Sequence, residues 1–124
     1  MGSTSVATTP STQRDRTILL AMGIMLLEIT CAQPIDMIRE SQDLGGLTAP
    51  TDETDHKTAI RWLFELDQNG GLTRGFSLAI TTCLQAYINP RASFLDPDFE
   101  RMFEEMVLRP LQDEIEYLLQ GPPT

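Results

Sequence analysis

The sequence predicts an all-α fold, a compact bundle of four to five helices around a central hydrophobic helix. Three features predict it. Ile18, Leu19, Leu20, Ala21, Met22, Gly23, Ile24, Met25, Leu26 and Leu27 form a run with no polar side chain, and a helix apolar on every face belongs inside a globule or a membrane. Phe76, Ala79, Ile80, Cys83, Leu84, Tyr87 and Ile88 repeat at i, i+3, i+4, i+7, the period of an amphipathic helix. Asp96-Pro97 supplies an N-cap and a proline at the first helical position ahead of a third periodic segment.

The elements follow in chain order. Residues 1–14 read as a disordered lead, because Gly2 to Gln13 hold only small, polar and proline residues, one valine and no charge. Met1-Gly2 opens like a myristoylation signal, but Val6 stands where that pattern needs Ser or Thr. A single helical domain spans 15–120, beginning with a helix over 15–32 that stops before Pro34. Gly23 inside that helix costs about 1 kcal/mol relative to Ala, which implies close packing of another backbone there. Residues 35–44 predict a short helix with Ile35, Ile38, Met37 and Leu44 inward, ended by Gly45-Gly46. The acids of 48–55 lead into a helix over 56–66 whose inner face is Ala59, Ile60, Leu63 and Phe64, broadened by Trp62 and Leu66. Asn69-Gly70-Gly71 is a turn, and Asn89-Pro90 stops the helix after it. The last helix buries Phe99, Met102, Phe103, Met106, Val107, Leu111, Ile115, Leu118 and Leu119, bends near Arg109 because of Pro110, and ends before a disordered 121–124.

At 124 residues the chain holds one core. Its net charge of −9, with eight Arg and one Lys scattered among eighteen acids, argues against nucleic acid and against anionic membranes. The apolar run is shorter than the roughly 20 residues of a membrane span. Cys31 and Cys83 are too few for a disulfide scaffold and fall on apolar stripes, the pattern of reduced core thiols in a cytoplasmic protein. The alternative is a secreted protein, with Arg14 and Arg16 before the apolar run and Thr30-Cys31-Ala32 after it imitating a signal peptide over 14–32.

Catalytic and metal-binding patterns are incomplete. Asp67-Gln68-Asn69-Gly70-Gly71 opens like a calcium loop, but Leu72 and Leu78 occupy the places of the turn glycine and the bidentate acid. Asp52, Glu53, Asp55 and His56 cluster without a second His or a Cys to complete a zinc shell. His56 is the single histidine and no nucleophile motif accompanies it, so neither an enzyme nor a cofactor is expected. Glu28, one step beyond the apolar run, predicts a half-buried carboxylate that needs donors or an arginine counter-charge.

Gly23-Ile24-Met25-Leu26-Leu27-Glu28-Ile29, followed by Pro34, resembles the central helix of the protein-kinase carboxyl-terminal lobe. Ala59-Ile60-Arg61-Trp62-Leu63, Ala79-Ile80-Thr81-Thr82-Cys83-Leu84, and Phe99 with Val107-Leu108-Arg109-Pro110-Leu111 resemble the closing half of fungal kinase-like domains of unknown function, often found behind a prion-inhibition-and-propagation domain. The similarity covers about residues 18–119. Ile18 replaces the Asp of the kinase helix, and the glycine-rich loop, lysine strand, H-R-D and D-F-G elements are missing. The resemblance therefore implies a degenerate helical half-lobe without phosphoryl transfer.

These readings converge on a non-catalytic interaction or regulatory module that binds a protein partner or another copy of itself through an apolar helical surface. Glu28, Met22, Met25 and Trp62 are its structural or interaction candidates, the methionines because they suit an adaptable surface. A first helix left half uncovered forgoes on the order of 10 kcal/mol of burial. Either the later helices wrap it or a second chain covers what they miss.

Overall fold

A computed structural model describes residues 10–120, which form an all-α bundle of helices joined by short turns and links, with no strand among them. Five α-helices carry the architecture: α1 (Pro10–Cys31), α2 (Asp52–Gln68), α3 (Arg74–Tyr87), α4 (Pro97–Phe103) and α5 (Arg109–Gln120). A single 3-10 turn (Ile35–Met37) and a single α-turn (Ser41–Leu44) sit between α1 and α2, and a π-turn (Glu104–Leu108) joins α4 to α5. The lead read over 1–14 falls outside the described residues up to position 9, and so does the tail at 121–124. Residues 10–14 are not part of a lead, because α1 already begins at Pro10, a residue compatible with a first helical turn.

The central place expected for the hydrophobic helix belongs to α3, which packs against α1, α2, the π-turn and α5. Its amphipathic pattern is buried as the periodicity predicts, with Ala79, Ile80, Cys83 and Leu84 inaccessible; Ile88, one residue past its end, is exposed. Gly23 faces α3, and side chains take the place expected for a second backbone: a Cβ there would lie 2.9 Å from Leu84 Cδ2 and 3.3 Å from Cys83 Cβ. Gly23→Ala is therefore expected to lower stability by about 1 kcal/mol despite the better helix former, since overpacking a tight contact costs roughly 1–3 kcal/mol and the propensity gain offsets part of it. The shift of the urea midpoint measures it.

Helix α2 starts at Asp52, capped by Thr51, whose hydroxyl accepts from the Thr54 amide at 3.2 Å. Its inner face is Thr58, Ala59, Trp62 and Leu63, while Ile60 and Phe64 point outward, so the expected face is rotated. The segment before it is a 3-10 turn and one helical turn in place of a single short helix. Ile35 is buried there, Met37 is exposed, and Gly45 takes the left-handed conformation that ends the turn.

An arginine pair fastens this segment to α2. Arg61 Nη2 donates to Asp43 Oδ2 at 2.6 Å and to the Ile38 carbonyl at 2.8 Å, with Glu40 and Glu65 within 3.6 Å of Nη1. Arg39 joins Asp36 to Asp55. Asp43 is buried, accepts further bonds from the Thr58 hydroxyl and the Glu40 amide, and its carboxyl is held down to about 2, chiefly by Arg61. A carboxyl depressed on folding stabilises the fold above its unfolded pKa near 3.8, and that stabilisation fades as pH falls toward 2. Asp43→Asn is accordingly expected to flatten the loss of urea stability between pH 6 and pH 2 by about 2 kcal/mol.

The last helical segment is broken as Pro110 requires. Proline has no N–H for the Met106 carbonyl and its ring crowds that carbonyl, and the chain answers with a π-turn in which the Arg109 amide donates to the Glu104 carbonyl. Phe99, Phe103 and Val107 are buried, with Phe94 edge-on to Phe103 at 5.1 Å. Met106, Ile115, Leu118 and Leu119 are exposed and not part of the core. No described helix is long and apolar enough to cross a membrane.

Candidate interaction surface

Helix α1 has two dissimilar sides. Leu19, Leu20, Gly23, Leu26 and Leu27 are buried, and Met22, Ile24 and Cys31 pack half-buried against the same core. The opposite side is open: Ile18 is 45% exposed, Met25 49% and Ile29 66%, with Arg14, Ala21 and Ala32 also exposed. The run is thus not enclosed all round, and the uniform hydrophobicity that suggested full burial reflects one core face and one uncovered apolar face.

Two polar bonds fix the N-terminal end of this helix. The Asp15 carboxylate accepts from the Phe94 amide at 2.9 Å, and Arg16 Nε donates to the Tyr87 carbonyl at 2.7 Å, its guanidinium 5.5 Å from the Tyr87 ring centre. Arg16 therefore sits on one of the carbonyls left open at the end of α3, where a cation is favourable. His56 does the same from α2, its Nε2 3.0 Å from the Leu84 carbonyl and its ring 5.1 Å from Tyr87. A ring nitrogen facing a carbonyl carries the proton, so this nitrogen is a donor and not a general base. The acids near His56 have other partners: Asp55 pairs with Arg39, and Asp52 accepts from Thr17 at 3.4 Å.

At the C-terminal end, Ala32 adopts φ 55 and the Gln33 amide returns to the Glu28 carbonyl at 3.3 Å. Glu28 Oε2 accepts from the Ile35 amide at 2.8 Å. The carboxylate predicted to need a donor or an arginine finds a backbone donor, and among the described residues no arginine pairs with it. Its bond holds Pro34 against α1 and so shapes a cleft of about 320 Å³ lined by Met25, Glu28, Ile29, Ala32, Gln33 and Pro34.

The four candidate residues thus divide. Met25 and Glu28 lie on the outer face beside the cleft, and Met22 faces the core side. Trp62, 3% exposed, is a core residue and cannot touch a partner. Cys83 is inaccessible, and burial pushes its thiol up to about 12. The half-buried Cys31 thiol is also raised by burial, partly offset by its bond with Trp62. The calcium-like stretch is the end of α2 followed by a turn at Asn69-Gly70, with Asp67 accepting from the Ser77 hydroxyl at 3.1 Å.

A wider groove of about 630 Å³ lies between α3 and α5, lined in part by Arg74, Leu78, Arg109, Glu114 and Tyr117. Glu114 Oε2 accepts from the Gly75 amide at 3.0 Å, an internal carboxylate on the positive end of α3. No protein-family model, curated protein or solved structure matches this chain.

Proposed function

We propose that the chain is a non-catalytic interaction or regulatory module, acting inside the cell, whose docking surface is the outer face of α1. The observation that carries this reading is an exposed apolar face on a helix whose other side is locked into the core, in a chain of net charge −9. Large exposed apolar surface on an otherwise charged protein marks contact with another molecule.

A photo-crosslinking amino acid at Met25 tests it in cells. The expected result is a crosslinked adduct with protein that disappears when Ile18→Glu is added, and the absence of any adduct overturns the reading. Intact-mass measurement of the native chain checks that α1 is retained. A mature protein beginning near Gln33 lacks Leu19, Leu20, Leu26 and Leu27, and would favour the secreted alternative.

A further inference from the structure

Along the outer side of α1, Arg14, Ile18, Ala21, Met25 and Glu28 follow one another at spacings of four and three residues, and all but the half-buried Glu28 are exposed. A 4-3-4-3 alternation is the seam along which two helices pack. At 1.5 Å per residue it is about 21 Å long. Its centre is small and apolar, and its two charges lie toward opposite ends with opposite signs.

We infer that this seam is an interface between two copies of the chain, which pair their α1 helices antiparallel about a two-fold axis beside Ala21, with Arg14 of each copy next to Glu28 of the other. The inference rests on the docking face proposed above and names its occupant. Charge decides the orientation: positions 14 and 28 are equidistant from Ala21, so an antiparallel pair sets Arg14 against Glu28 at both ends, whereas a parallel pair sets like against like. Arg14 has no ion-pair partner among the described residues. Glu28 spends one carboxylate oxygen on the Ile35 amide at 2.8 Å and leaves the other for a guanidinium.

The same arrangement brings Ile18 of one copy beside Met25 of the other, and the cleft at Ile29 and Pro34 receives the Arg14 stem. Ala21 at the crossing lets the backbones approach. This face suits a chain of net charge −9 better than that of α5, because no acid lies between Asp15 and Glu28, whereas the exposed Ile115 and Leu119 of α5 are accompanied by Asp113 and Glu116. An interface this narrow is at the small end for proteins, so the dimer is reversible and its population depends on concentration.

Sedimentation equilibrium of the full chain tests it. The expected mass rises with concentration toward twice 13.9 kDa. Arg14→Glu alone and Glu28→Arg alone each weaken the dimer at least about tenfold, and an equimolar mixture of the two variants recovers it. Glu28→Arg also removes the acceptor of the Ile35 amide, so Ala21→Cys supplies a second measurement that leaves that bond intact. Air oxidation is expected to link two copies through position 21, while wild type under the same conditions is not linked. A chain that stays monomeric at millimolar concentration, or a dimer indifferent to Arg14→Glu and unlinked by Ala21→Cys, overturns the pairing. A monomer whose Met25 crosslinker still captures a different protein overturns the pairing alone; no capture of any kind overturns the docking face as well.

Discussion

Replacing Trp62 by alanine is expected to lower the unfolding free energy by about 3–5 kcal/mol, the range for removing a large aromatic from a packed core. The indole is 3% exposed, lies among the buried residues of α2, and also bonds to the Cys31 thiol, so its loss leaves a cavity and takes away the partner of a half-buried sulfur. A domain is stable by only about 5–15 kcal/mol in total. Urea denaturation followed by far-ultraviolet circular dichroism measures the change. A Trp62→Ala chain with unaltered stability but altered association would return Trp62 to the surface role that its size and position suggested.

Arg61→Ala is the second large effect. It strands the Asp43 carboxylate, buried and ionised, with only the Thr58 hydroxyl and the Glu40 amide as donors, and it frees the Ile38 carbonyl. Breaking a buried pair by removing one member costs roughly 3–5 kcal/mol, and the partial exposure of Arg61 brings this to about 3 kcal/mol. Arg61→Lys recovers less than half, because an ammonium cannot serve Asp43 and the Ile38 carbonyl with the geometry of a guanidinium. Hydrogen exchange is expected to localise the loss to residues 35–47, with the amides of α3 protected until global unfolding. Equal loss of protection across α3 would show that the arginine supports the whole core.

The legible part of the fold was the part where polarity changes around a helix. The buried face of α3 has polar neighbours such as Ser77, Thr81 and Gln85, so its phase could be read directly, and Asp96-Pro97 announced α4 through local backbone chemistry. Helix α1 has no such contrast between Ile18 and Leu27, so the sequence showed that it was helical and apolar without showing which side faced the core. The exposed Ile60 and Phe64 of α2 and Leu118 and Leu119 of α5 misled for the same reason: apolar residues outside a core carry the same signal as those within it. The Arg61–Asp43 pair and the bonds from Arg16 and His56 to the end of α3 join residues far apart in the chain, and no local pattern encodes them. Of the candidate surface, Met25 and Glu28 were legible from their position beside the apolar run. The seam itself emerged only once the burial of Leu19, Gly23 and Leu27 fixed the rotation of the helix.

The π-turn at Glu104–Leu108 sets the azimuth of everything after it. Successive residues of an α-helix are about 100° apart, so removing one residue from this turn swings α5 around its own axis by that amount. Glu114 then leaves the Gly75 amide, and the oily side of Ile115 and Leu119 comes round toward α3. One extra residue in a single widened loop of backbone is thus a mechanical adjustment that decides which side of α5 is laid against α3.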